Sequence, residues 1–88
     1  MPPQRRRARI VFSDAAAKQL ESISLEVELH ALDRALVVIS VDPEIGEQLP
    51  ATADAPALRQ YTDDVESVRV LYFVTALRTV VVVAYIET

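Results

Sequence analysis

Apolar positions recur along the 88 residues with two different periods. Ala16, Leu20, Ile23 and Val27 stand at helical spacing, and Leu25, Leu29, Leu32, Leu36 and Ile39 form a second register at alternating four- and three-residue steps. Ser22 and Ser24 lie where the registers meet, so the pattern predicts two helices, about 14–23 and 25–41, or one bent helix. Ser13 is placed to cap the first, with Asp14 favourable in its first turn. Pro43 ends the second, because proline disfavours helical geometry in the residue before it. Ahead of the helices, Ala8 to Phe12 reads as a short strand ended by Ser13-Asp14. Behind them, residues 42–56 hold three of the five prolines and the only glycine, and read as loop. Three strands follow: Leu58 to Thr62, Val68 to Val74 after the Asp63-Asp64 turn, and Thr79 to Ile86 after a weak turn signal at Ala76-Leu77-Arg78.

The order β-α-α-β-β-β specifies an α+β fold, with a helical hairpin packed on one face of a mainly antiparallel four-stranded sheet. Thr79 to Ile86 is apolar at nearly every position and belongs inside the sheet, with Ala8 to Phe12 covering its free side. In such a two-layer fold the strands should alternate between a covered and a wet face, and these do not. Val68, Val70, Tyr72 and Val74 make one face of the middle strand; Arg69, Leu71 and Phe73 make the other. The last strand sets Val80, Val82, Ala84 and Ile86 against Val81, Val83 and Tyr85. A hairpin of helices covers only one of those faces. Leu71, Phe73, Val81, Val83 and Tyr85 are therefore expected to form a partner-binding face, met by a second copy or a different chain.

Composition narrows the chemistry. The 51% hydrophobic content suits one small domain, 8–88, behind a disordered basic arm, 1–7. With no cysteine, disulfides, thiolate metal sites and a cysteine nucleophile are excluded. One histidine, His30, and acidic pairs without further ligands assign neither a metal nor a cofactor. A single glycine excludes glycine-rich phosphate loops. The longest apolar stretch, Val80 to Ile86, is far below the ~20 residues of a spanning helix, so the expectation is a soluble cytoplasmic chain without a membrane partner. The net charge of -4 conceals an asymmetry: from Ile10 onward five Lys/Arg face thirteen Asp/Glu. Arg5, Arg6, Arg7 and Arg9 are the candidate nucleic-acid contacts, on a body that repels phosphate.

The residues also resemble the RelE/ParE superfamily of type II toxins. Val11-Phe12-Ser13-Asp14-Ala15-Ala16 with Leu20 looks like the family's strand-to-helix opening. Pro43-Glu-Ile-Gly46-Glu-Gln-Leu49 is similar to its Pro-x-x-Gly-x-x-Leu bridge, and Val68-Arg69-Val70-Leu71-Tyr72-Phe73-Val74 resembles its Tyr-Arg-Val-x-Tyr strand. The resemblance covers residues 8–87 and implies a bacterial toxin component with an antitoxin partner. It carries over one functional arginine of the family's ribosome-dependent mRNA nucleases, onto Arg69, which is the candidate catalytic residue. The lysines of those nucleases are absent, Arg59 being the one cation in the corresponding stretch, and Ile86-Glu87-Thr88 holds no terminal cation or general acid. The resemblance therefore implies action by protein contact, as in the gyrase-poisoning branch. A non-toxic interaction module, homodimeric or regulatory, and a nuclease resting on Arg69 with the ribosome as target are the alternatives.

Overall fold

Ser13 starts the first helix as its position suggests: its Oγ accepts from the Ala16 amide at 3.1 Å. The computed structural model describes residues 7–50, 57–75 and 80–88. In it β1 (Arg9–Phe12) leads into α1 (Asp14–Ser22) and α2 (Glu26–Val41), followed by β2 (Glu47–Gln48), β3 (Arg59–Thr62), β4 (Arg69–Val74) and β5 (Val80–Glu87). The five strands form one sheet in the order β1-β5-β4-β3-β2. Every pairing is antiparallel except β1 with β5, which runs parallel from Arg9↔Val80 to Phe12↔Val83. The α+β class, the helical hairpin and the cover of β5 by β1 agree with the sequence pattern. The strand number does not: β2 is a fifth strand of two polar residues, too short to carry a period.

Both helices lie on one face of the sheet. Ala16 of α1 and Ala31, Leu32, Ala35 and Ile39 of α2 share a core with Val70 and Tyr72 of β4 and Val81, Val83 and Ile86 of β5. The side of α2 nearest the sheet is lined by two fully buried alanines, while Leu29 and Leu36 of the expected register are half-buried and Leu25 is exposed. Small side chains let the helix axis come close to the strands, so alanine sits where leucine periodicity alone predicts a larger residue. At the end of α2 the Asp42 amide returns to the Val38 carbonyl at 2.9 Å, one residue before Pro43. The Ala8 amide donates to the Ser40 carbonyl at 2.8 Å, which satisfies an end carbonyl of α2 and fixes the start of β1 beside it.

Two polar clamps hold the remaining connections. The Tyr72 hydroxyl, inside the core, donates to the Pro43 carbonyl at 2.8 Å and accepts from the Gly46 amide at 2.9 Å. Burial pushes this phenol above its usual pKa. At the β3–β4 turn the buried Asp63 carboxylate receives Arg34 of α2 on both oxygens, at 3.2 and 3.0 Å, and the amides of Val65 and Glu66 on Oδ2. The Arg34 hydrogen bonds, followed by those backbone amides, lower the Asp63 pKa to about 2. Residues 1–6, which include Arg5 and Arg6 of the basic arm, and the expected turn at 76–78 lie outside the described residues.

Candidate functional site

The side of the sheet away from the helices is the candidate site, and strand register decides which residues reach it. Paired residues on neighbouring strands point to the same side. Tyr72 faces Val83 and Val74 faces Val81, all on the helix side, whereas Phe73 pairs with Val82 and Leu71 with Tyr85 on the open side. The step from Tyr72↔Val83 to Leu71↔Tyr85 skips Ala84, a β-bulge that reverses the alternation of β5. Ser13 grips this bulge from both of its polar groups. Its amide donates to the Val83 carbonyl at 2.9 Å and its Oγ donates to the Ala84 carbonyl at 2.8 Å.

The bulge corrects the expected partner face. Val81 and Val83 are fully buried under the helices and are core residues, not interface residues. Strict alternation had grouped them with Tyr85, but the extra residue sends Tyr85 to the opposite side, where it is 47% exposed. Leu71 and Phe73 do lie on the open face, both half-buried. Val80 and Val82 replace the two buried valines there, and Val11 of β1 joins them through its pairing with Val82. The bulge at Ala84 hides Val80 and Val82 from period-two counting along β5, and Val11 reaches the face only through the β1–β5 pairing.

The apolar centre of the face is bordered by charge. Arg9, paired with Val80, stands exposed at one corner. At the far end of β4 and β5, Arg69 Nη2 lies 3.6 Å from Glu87 Oε2, and Arg69 Nη1 donates to Gln60 Oε1 at 3.3 Å. Glu47, on the β2 edge, accepts from Gln60 Nε2 at 3.3 Å. Arg69 is thus on the open face as its strand position requires, paired with Glu87 in an exposed contact that water screens. Arg7 is exposed where the chain enters the fold, just before β1.

Other residues with candidate chemistry are placed elsewhere. Arg59 turns away from this face: its Nη1 donates to the carbonyls of Glu44 and Gly46, at 3.2 and 2.8 Å. It holds the β2 connection in place. Tyr72 is a core anchor, and His30 is exposed on α2, in the layer behind the sheet. Among the described residues no group of three His, Asp or Glu converges on a point where a metal would sit, and no helix is long and apolar enough to cross a membrane. The described part of the open face is largely apolar, with Arg9 at one corner and Arg69 beside Glu87 at the other end.

No family model and no curated protein matches the chain. Solved structures do. The chain aligns with the toxin–antitoxin complex RelBE of E. coli at a TM-score of 0.69 and 20% identity, over 92% of this chain and 95% of that one. A free-state double mutant of the E. coli toxin RelE aligns at 0.70 and 18% identity, over 93% and 83% of the two chains. The archaeal RelE–RelB complex of Pyrococcus horikoshii OT3 aligns at 0.62 and 19% identity, over 91% and 92%. The chain has the RelE fold.

Proposed function

We propose that this chain is the toxin component of a bacterial type II toxin–antitoxin pair, acting in the cytoplasm by protein–protein contact and neutralised by an antitoxin. The observation that carries this reading is the open sheet face: on a RelE fold, Leu71, Phe73, Val82 and Tyr85 form an apolar centre on the side of the sheet that no described helix covers, the first three half-buried and Tyr85 exposed. Two of the similar structures are complexes of a RelE protein with RelB, which supports an antitoxin as the natural cover. An amphipathic helix or strand laid on this face would bury its apolar centre and meet Arg9 and Arg69 at the edges with acidic side chains. Arg69 is the one nuclease cation that the family resemblance carries over to this chain, which favours contact with a target such as gyrase over cleavage of mRNA on the ribosome.

Induction of the chain alone in a bacterial host tests the reading. Growth arrest is expected from the intact chain, and Phe73→Glu is expected to relieve it while remaining soluble and folded. Absence of arrest at good soluble expression would overturn the toxin assignment. Arrest that survives Phe73→Glu but disappears in Arg69→Ala, with new RNA ends, would move the activity to a nuclease centred on Arg69.

A further inference from the structure

Four consecutive valines, Val80 to Val83, open β5, and the strands on either side of them are anchored. β1 is held by the Ala8 amide on the Ser40 carbonyl, and β4 by the Tyr72 hydroxyl on Pro43 and Gly46. Strand register is ordinarily well specified, because a slip of one residue sends every side chain to the opposite face. Here such a slip exchanges valine for valine. If residues 80–84 slid by one place, Val82 would stand opposite Ile10 and Val74, where Val81 now lies. Val83 would take the place of Val82 opposite Val11 and Phe73. The change in kind comes at the last place, where Ala84 would replace Val83 opposite Phe12 and Tyr72.

The same slide absorbs the bulge. Tyr72↔Val83 is followed by Leu71↔Tyr85, so Ala84 is the extra residue of β5. With Ala84 opposite Tyr72 the two strands pair one to one, and Leu71↔Tyr85 is untouched. Two features therefore hold the bulged arrangement. One is the pair of methyl groups by which Val83 exceeds Ala84, at a fully buried position of the core. The other is Ser13, whose amide donates to the Val83 carbonyl at 2.9 Å and whose Oγ donates to the Ala84 carbonyl at 2.8 Å. After the slide the amide would meet the Ala84 carbonyl instead. Oγ would lose its acceptor, because the second carbonyl reaches it only through the bulge.

We propose that β5 has a second, bulge-free register one residue along, and that the Ser13 hydroxyl selects between the two. This role is separate from the cap that Oγ makes with the Ala16 amide. The open face then shows Val81 and Val83 in place of Val80 and Val82, so its apolar character survives while β5 moves ~3.3 Å between its neighbours. On the helix side Ala84 leaves a gap beside Tyr72, and the clamp on Pro43 and Gly46 loosens in that register.

Asp and Asn at position 13 separate the two roles of the serine. Both cap a helix N-terminus, but an ionised Asp only accepts, whereas Asn also donates. Nuclear Overhauser contacts of Phe73 in the isotope-labelled full chain report the register, and chemical-exchange saturation transfer measures its minor form. In the parent, Phe73–Val82 contacts are expected, with the second register on the order of 1%. Ser13→Asp is expected to raise that population roughly 10-fold through the lost hydrogen bond, and Ser13→Asn to leave it near the parent value. Ala84→Val supplies the missing methyls and is expected to raise it roughly 10-fold with position 13 intact. Combining Ser13→Asp with Ala84→Val is expected to bring Phe73–Val83 contacts to comparable strength. Phe73–Val82 contacts alone in both Ala84→Val and the combined variant would overturn the second register. Equal minor populations in Ser13→Asp and Ser13→Asn would overturn the selecting role of the hydroxyl. These readouts involve no growth phenotype, so the proposal stands or falls independently of toxicity.

Discussion

Gly46 and Tyr72 form one constraint between them. A Cβ on residue 46 would stand 2.5 Å from the Tyr72 hydroxyl and 2.8 Å from the Gln60 carbonyl, one of them backbone that has little room to yield. The glycine is thus required by close approach, and the approach exists because its amide donates to that hydroxyl. Gly46→Ala is expected to destabilise the fold by about 1–3 kcal/mol through overpacking. Tyr72→Phe keeps the packing but leaves the buried Gly46 amide without its acceptor, at a cost of about 1–3 kcal/mol. Denaturant titration of the two single variants and the double variant checks this. Because both act on one contact, the double variant is expected to lose less than the sum of the singles. Full additivity would show that the hydroxyl and the glycine act independently.

At the scale of elements, the sequence was most legible where one residue type signals one geometry. Ser13, Pro43 and the Asp63-Asp64 pair placed the ends of α1 and α2 and the β3–β4 turn, because capping, proline sterics and side-chain-to-backbone hydrogen bonds are local. Pairing between strands is not local. Nothing within Val80 to Ile86 marks Ala84 as the bulge; its anchor, Ser13, is 71 residues away. The two residues of β2 are likewise strand only because β3 lies beside them. The Asp63 turn itself carries a pH signature. Its pKa falls from 3.8 to about 2 in the fold, so its stabilisation is complete above pH 3.8 and is lost as pH drops towards 2. Asp63→Asn is expected to be less stable than the parent at neutral pH, and to lose less stability than the parent between pH 4 and 2. Thermal melts across that range measure it; identical acid limbs would assign the acid sensitivity to other carboxylates.

For the molecule as a whole, the decisive link joins its two ends. β1 closes the open side of β5 as a parallel neighbour, and Ala8, Ile10 and Phe12 complete the core over Val81 and Val83. Without it, the run Val80 to Val83 would become a bare sheet edge of β-branched residues with no charge, the kind of segment that pairs with other chains. The Ala8–Ser40 hydrogen bond and the Ser13 grip on the bulge would lose their shared support as well. Deleting residues 1–12 is therefore expected to abolish cooperative unfolding and to give aggregates rich in intermolecular β-structure. Size-exclusion chromatography with infrared spectroscopy reads this directly. The same contact, made between residues about 70 apart in the chain, is non-local, so refolding is expected to be slow for so small a domain. A truncated chain that stayed monomeric and melted cooperatively would show that β5 is stable as an edge. The helices and β4 would then carry the fold without the strand that opens it.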